Sequence, residues 1–351
     1  MRKIFAVSRF VPLMSLALLM SACDEEEVKI EEIEKPVITP NIDPDPEHDL
    51  YITYDESIEG VWTPKYVDPS GKVTLLGDGK RSAQTTDMYV DEDRNVIIVG
   101  TATDSERMSY PVIWKNSEPT LLTDTTLHRY ASAQGMRIHG DDLYVVGFEF
   151  GINYPAACYW KNGKKVSLSN GETSGVATDI WIDGEDVYVA GSIKNAAGNP
   201  EAYYWKNGVI KKIPGTYASG ILVKDNSLYI TGDLGVAKYW KDGNLVSVTG
   251  SKNTGVDIAP KRMKIFGSDL YMIGIGEYWK NGEVVTIGNG AKDVHATYDF
   301  AVQGDDVYMA GFRHPREIYE PTYWKNGVPV SVTDGKFNGG VSAIVAKPKT
   351  K

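Results

Sequence analysis

Cysteine is nearly absent from this 351-residue chain: Cys23 closes an amino-terminal apolar run, and Cys158 stands two residues before Trp160. A disulfide-stapled framework is thereby excluded. Cys158 lies in a strand-like run with no His beside it, so it reads as a small packed side chain and not as a nucleophile. Catalytic signatures are missing too. There is no G-x-S-x-G, H-E-x-x-H or C-x-x-C, and "GDGK" at 77–80 has neither the spacing nor the Ser/Thr of a phosphate loop. Clustered positive charge is also lacking. Of the net charge of −10, residues 24–49 hold −9 and residues 1–23 hold +3, leaving −4 on the body. A nucleic-acid partner needs a basic face and is excluded. No cofactor is implied.

What is present begins with "MRKIFAVSRFVPLMSLALLMSAC", in which Arg2, Lys3 and Arg9 precede an apolar run that ends at Ser21 and Ala22. This is the layout of a secretory signal over 1–22, and the run is short of the roughly 20 residues a membrane span needs. Ending at Cys23, it resembles a bacterial lipoprotein signal. That likeness implies cleavage before Cys23, lipidation there, and attachment to a membrane through the lipid. Residues 23–49 are acidic, lack aromatics and carry Pro36, Pro40, Pro44 and Pro46. Such a stretch buries too little apolar surface to fold and reads as a tether. The run Asp24, Glu25, Glu26, Glu27 resembles the export signal of surface lipoproteins in one phylum of Gram-negative bacteria, which implies the outer membrane, facing the cell exterior. A rival rule takes Asp24 for inner-membrane retention, but one Asp would satisfy that rule and four acids stand here.

From residue 50 the chain repeats. "YWKNG" or a near copy places Trp at 114, 160, 205, 240, 279 and 324, and "DDLYVVG"-like phrases precede it, ending at Gly147, Gly191, Gly232, Gly274 and Gly311. "NVIIVG" at Gly100 and "HDLYITY" at Tyr54 are weaker copies. In the clearest unit, residues 176–213, "VATDIWID", "DVYVAGS", "EAYYWK" and "VIKKI" read as four strands. Asn207-Gly208 supplies the two positive-φ residues of a tight hairpin turn, so "WKNG" reads as a strand end plus a turn. Tyr and Trp are expected to pack between sheets, and the Gly closing the second strand to let an adjacent sheet approach. A period near 40–50 residues with short strands marks propeller blades. Seven second-strand phrases occur but only six full first strands precede them, while "GGVSAIVAK" at 339–347 is left over. The expectation is an all-β, seven-bladed β-propeller of four-stranded antiparallel blades over 50–351, its ring closed by the C-terminal strand.

Over residues 50–347 these phrases resemble the bacterial extracellular propeller repeats of the Ala-x-x-Ile, Gly-x-Val-x-Gly, Trp-x-x-Gly type, which include a family named for a His-Ala-Phe tripeptide. The likeness lies in the repeat, since the tripeptide itself is missing here. It implies an exported repeat protein and no particular activity.

The turns after strands one and three are short. Those after strands two and four vary, being long between strands two and three in blades 1, 2, 3, 4 and 7 and long again at "GSKNTGVDIAPK". Function on a rigid ring concentrates in variable loops. The candidates for binding are Phe148, Phe150 and Tyr154, His128 and Arg129, His295, and Arg313, His314, Arg316 and Tyr319, because aromatic rings with Arg and His suit a glycan or a protein. Asp87, Asp179 and Asp299 recur near the start of the innermost strand, at the channel mouth, where such an Asp commonly accepts backbone hydrogen bonds. "DEDRN" at 91–95 lacks the Gly and distal Glu of a calcium loop, so no metal is expected. The leading expectation is a surface-tethered, non-catalytic, monomeric propeller that binds a glycan or protein through its loop face. One alternative is a propeller-type polysaccharide lyase or glycoside hydrolase using Arg313, His314, His295 and the channel Asp residues. The other is a structural part of an envelope complex.

Overall fold

The structure, a computed structural model, describes residues 44–123, 130–233, 238–248, 260–286, 296–315 and 317–349. The signal, Cys23 and the tether up to residue 43 lie outside these residues, as do His128, Arg129, His295 and Arg316. Seven four-stranded antiparallel sheets form the ring. Blade 4 sets the pattern, with strands Gly175–Asp183, Asp186–Lys194, Pro200–Lys206 and Val209–Lys212 in spatial order from the axis outward. Blade 1 takes its innermost strand from the other end of the chain: Gly339–Pro348 pairs antiparallel with His48–Ile58, setting Ile344 against Ile52. The ring thus closes as the repeat count requires, and no sheet edge faces the gap.

Both recurring phrases are parts of one local device. Asn207 and Gly208 have φ of +52° and +79°, the values a type I′ turn demands. Asn207 Oδ1 accepts the Val187 N–H at 2.8 Å, and its Nδ2 donates to Asp186 at 2.7 Å. Lys206 Nζ reaches the other Asp186 oxygen at 2.7 Å and lies 5.0 Å from the Tyr188 ring centre. The same set recurs as Asp142, Tyr144, Lys161, Asn162 in blade 3, as Asp269, Tyr271, Lys280, Asn281 in blade 6, and as Asp306, Tyr308, Lys325, Asn326 in blade 7. "WKNG" is therefore answered by the "D-x-Y" of the neighbouring strand, and its polar groups are used up within the hairpin.

Each Trp of the phrase is buried against the preceding blade. Trp114 packs on Tyr51, Tyr66 and Leu76 of blade 1, and Trp205 on Tyr144, Val146 and Ala157 of blade 3. Trp324 packs on Tyr271 and Ile273 of blade 6. The indoles of Trp114 and Trp205 also donate to the carbonyls of Leu76 and Leu168, at 2.7 and 3.1 Å. A flat aromatic body filling the wedge between twisted sheets accounts for the recurrence of this residue.

Three expectations are corrected. The glycine that closes the second strand accommodates its own blade and not an adjacent one: a Cβ on Gly191 would stand 2.1 Å from the Val176 carbonyl oxygen of the paired inner strand. Blade 1 has no long connection between its second and third strands, because Glu59 and Gly60, at φ +51° and +81°, make a tight turn there. The last residues of the tether are part of the folded body. Asp45 takes Lys325 Nζ at 2.7 Å and the Tyr308 hydroxyl at 2.9 Å, and Lys349 donates to the Asp45 carbonyl at 3.0 Å. Burial works against the Asp45 charge, yet Lys325 and the N–H groups of Glu47 and His48 bring its carboxyl down to about 2.

Asn207→Ala should lower stability by about 1–2 kcal/mol, because it strands the Val187 N–H and places a side chain without local hydrogen bonds at positive φ. Denaturant titration reads this, and ligand binding should not move. Deleting 339–351 removes the buried Val341, Ala343 and Ile344 and opens the edge of blade 1. The expected product is aggregated, or melts far below the intact protein; an unchanged melting curve would refute closure by this strand.

Candidate functional site

The channel is made by an irregularity that six inner strands share. Each carries one residue with no partner on the second strand: Ser342, Thr86, Gln134, Thr178, Ser219 and Tyr298 in blades 1, 2, 3, 4, 5 and 7. A bulge of this kind turns the extra side chain out of the ladder. Here it turns toward the axis, and with Lys261 of blade 6 these residues line a chamber of about 600 Å³ that opens on the loop face. A second chamber of about 380 Å³ opens on the hairpin face, and Arg262 and Thr178 line both.

The next residue along each inner strand alternates in size and charge. In blade order it is Ala343, Asp87, Gly135, Asp179, Gly220, Arg262 and Asp299. Each Asp accepts the backbone N–H of the following blade: Asp87 from Met136 at 3.0 Å, Asp179 from Ile221 at 2.9 Å and Asp299 from Ile344 at 3.1 Å. The following blade has Gly or Ala beside that N–H, which leaves the carboxylate room to reach it. Arg262 points inward. It lies 3.5 Å from Asp87 and 3.4 Å from Asp299, and donates to the Thr86 carbonyl at 3.1 Å. Lys264 joins Asp299 at 2.6 Å. Burial opposes the Arg262 charge, but Asp87, Asp299 and Asp179 outweigh it and hold the guanidinium protonated; burial also raises the Asp179 pKa. The three Asp residues found from the sequence thus converge on one cation and on the seams between blades.

The loop-side chamber has two kinds of wall. On the side of blades 7 and 1 stand Tyr298, Phe312, Tyr319 and Trp62, with ring centres 5.8 Å apart for Tyr298 and Phe312 and 5.0 Å for Phe312 and Tyr319. The floor is polar. Thr86, Thr178 and Ser219 donate their hydroxyl protons to the carbonyls of Ala133, Ala218 and Lys261, and Gln134 donates its amide to Ser132. What the three hydroxyls leave for a ligand is lone pairs, while Gln134 keeps its amide oxygen and a second N–H. Asp55 of blade 1 also lines the chamber, although only 6% exposed. One of its oxygens accepts the Thr85 N–H at 3.0 Å, and among the described residues no Lys or Arg reaches it. Burial pushes its carboxyl up to about 7, against the pull of the Thr85 N–H and the Thr85 and Ser342 hydroxyls.

Of the loop residues proposed from the sequence, Phe312's neighbour Tyr319 lines the funnel, and His314 stacks on Tyr319 at 4.8 Å without lining it. Arg313 is turned to its own blade, where it pairs with Glu320 at 3.0 Å and donates to Ser331 at 2.9 Å. Phe148, Phe150 and Tyr154 stand on blade 3 away from the funnel lining, with Phe150 and Tyr154 exposed and Phe148 5.3 Å from Tyr130. Asp55, Trp62, Tyr298 and Arg262 were not found from the sequence. The signal for two of them lay in the Ala-x-x-Ile phrase, whose first variable position is the bulge and whose second is the seam.

No protein-family model matches the chain, and none of the curated proteins does. Among solved structures it is similar to virginiamycin B lyase from Staphylococcus aureus, at 12% identity over 73% of this chain and 94% of that one, with a TM-score of 0.44. TolB from Acinetobacter baumannii follows at 10% identity, 85% and 67% coverage and a TM-score of 0.39. A puromycin hydrolase matches at 11%, 86% and 56%, with a TM-score of 0.48. At such identities nothing about activity passes to this chain.

The Asp55 carboxyl gives a signed pH test. The unfolded chain ionises this Asp near 4 and the folded chain near 7, so the group weakens folding progressively as pH rises across that window. Asp55→Asn removes the effect. Its melting temperature relative to wild type should climb between pH 4 and 7 and level off above; a difference that is flat across the range would mean that Asp55 is ionised throughout.

Proposed function

We propose that the protein binds a carbohydrate in the loop-side funnel of its propeller, and that it does so as a lipoprotein tethered through Cys23 at the cell surface. The observation that carries the first half is the pairing of an aromatic wall, Trp62, Tyr298, Phe312 and Tyr319, with a floor of hydroxyl and amide oxygens in a chamber of about 600 Å³. Pyranose rings offer C–H faces to aromatic rings and hydroxyl protons to acceptors, and this chamber supplies both at once. The second half rests on the amino-terminal sequence. Its geometric companion is the docking of Asp45 on Lys325, which brings the chain into the propeller at the hairpin face. A protein tethered there would hold the funnel away from the bilayer.

A second reading, a lyase or hydrolase, is favoured by one group: Asp55, a carboxyl near neutrality in a substrate-sized chamber, has what a general acid needs. New reducing ends or unsaturated products that appear with the wild type and vanish in Asp55→Asn would replace binding by catalysis.

Replacing Tyr298 and Tyr319 together by Ala should weaken saccharide binding by about 2 kcal/mol, roughly 30-fold, as loss of stacking platforms does. Titration calorimetry across a panel of oligosaccharides reads it. Changing Lys161, Lys206 and Lys325 on the hairpin face should leave the affinity unchanged, and a larger loss there would move the site to that face. Cys23→Ala should release the protein from membranes; retention in the membrane fraction would remove the lipoprotein half of the reading.

A further inference from the structure

Three charged residues line the loop-side funnel, Asp55, Lys261 and Arg262, and they differ in how far each is already answered. Arg262 is answered by acids of two other blades. Its guanidinium lies 3.5 Å from Asp87 and 3.4 Å from Asp299 and donates to the Thr86 carbonyl at 3.1 Å, so its charge is spent within the channel plug. Asp55 is held at the seam of blades 1 and 2, where it accepts the Thr85 N–H at 3.0 Å and meets the Thr85 and Ser342 hydroxyls, and burial drives it toward its neutral form. Lys261 is left.

The backbone of Lys261 is fixed on both sides. Its N–H donates to the Ile273 carbonyl of its own blade at 2.7 Å, and its carbonyl accepts the Ser219 and Thr231 hydroxyls of blade 5 at 2.6 and 3.3 Å. It stands one place before Arg262, at the level where six other blades set a bulge residue toward the axis. The residue is half-buried, and its ammonium makes no ion pair or hydrogen bond with any of the described residues. A positive charge on a rigid base, in a concave wall whose one carboxyl is tied to its own hydrogen-bond donors, is the arrangement that holds an oxyanion. The low-dielectric walls of the chamber strengthen that attraction.

We propose that the funnel's ligand is an acidic saccharide, and that Lys261 receives its carboxylate or sulfate group. This rests on the carbohydrate reading for the sugar and on Lys261 alone for the charge. The ammonium donates to the anion from blade 6, while the hydroxyls of the sugar donate to the lone pairs of Thr86, Thr178 and Ser219, and Gln134 adds its second N–H. The aromatic wall on blades 7 and 1 takes the C–H faces of the pyranose. A neutral sugar would engage all of these groups except the ammonium.

Five probes separate the parts: galacturonate oligomers, their methyl esters, sulfated galactose oligomers, neutral galactose oligomers of equal length, and acetate as an anion without a sugar ring. Binding is read by calorimetry on the purified protein, with Lys261→Gln and Lys261→Arg beside the wild type and melting curves to confirm that each variant is folded. In the wild type one of the acidic oligomers should bind about tenfold more tightly than the ester and the neutral oligomer, and added salt should erode that margin without moving the neutral affinity. Lys261→Gln should abolish the margin and keep the neutral affinity, and Lys261→Arg should retain the margin. If Lys261→Gln does not fold, the salt titration of the wild type decides, and a margin indifferent to salt overturns the charge contact. Equal affinity of acidic and neutral oligomers in the wild type, or a margin that survives in Lys261→Gln, overturns the anion site and leaves the carbohydrate reading standing. Lys261-dependent binding of acetate with no oligomer bound upholds the cation and overturns the sugar. No binding by any probe overturns both.

Discussion

One surplus residue in six of the seven inner strands is the constraint on which the site depends. A regular ladder would alternate its side chains between the two neighbouring blades and leave the axis lined by backbone. The bulge breaks that alternation at one level of the ring in six blades and turns a side chain into the channel. In five blades the bulge lies beside a glycine of the second strand, Gly100, Gly147, Gly191, Gly232 or Gly311, where a Cβ would stand 1.9–2.1 Å from an inner-strand carbonyl. The glycine of the repeat is thus what admits the bulge, and the bulge is what furnishes the funnel floor.

The level below the bulge couples the blades. Three Asp residues, each followed by a blade with Gly or Ala at the matching place, tie one inner strand to the next through a backbone N–H. Three carboxylates near one axis would repel each other strongly if left uncompensated. Arg262, in the one blade that departs from the alternation of acid and small residue, supplies the opposing charge, with Lys264 beside it. The cost of burying these charges is met by mutual pairing and by backbone donors. It follows that the plug of the channel and the rigidity of the ring come from the same side chains.

The architecture was legible because repetition exposes periodicity that a single copy hides. Trp spacing, Asn-Gly turns and the leftover strand at 339–347 together determine blade number, strand order and closure. The seam Asp residues were legible for the same reason, since they recur. What escaped were features that occur once. Asp55 follows Tyr54, in the copy whose closing glycine is replaced, and Trp62 follows the tight turn at Glu59 and Gly60, where a long loop had been expected. Both read as degeneration of the pattern, whereas their neighbours in the funnel, Tyr298 and Gly340, come from the far end of the sequence. Arg313 misled for a local reason: the cross-strand partner that neutralises it, Glu320, lies beyond a loop whose length hides the register.

The two faces of the ring differ in how much of their polar chemistry is already consumed. On the hairpin face every full copy of the "WKNG" device closes on itself: Lys meets Asp and Tyr, Asn meets Asp and a backbone N–H, and Gly carries no side chain. Such groups have little left with which to hold a ligand, since any new contact would first have to displace an existing one. The loop face is built the other way. Its bulge hydroxyls are half used, with their protons committed and their lone pairs available, its rings meet at tilted and edge-on angles and line the chamber, and Asp55 has hydrogen-bond donors but, among the described residues, no Lys or Arg within ion-pair reach. Selectivity in a chamber of this kind arises from its unused acceptors and its aromatic wall, with Lys261 and Arg262 supplying positive charge on the side of blade 6.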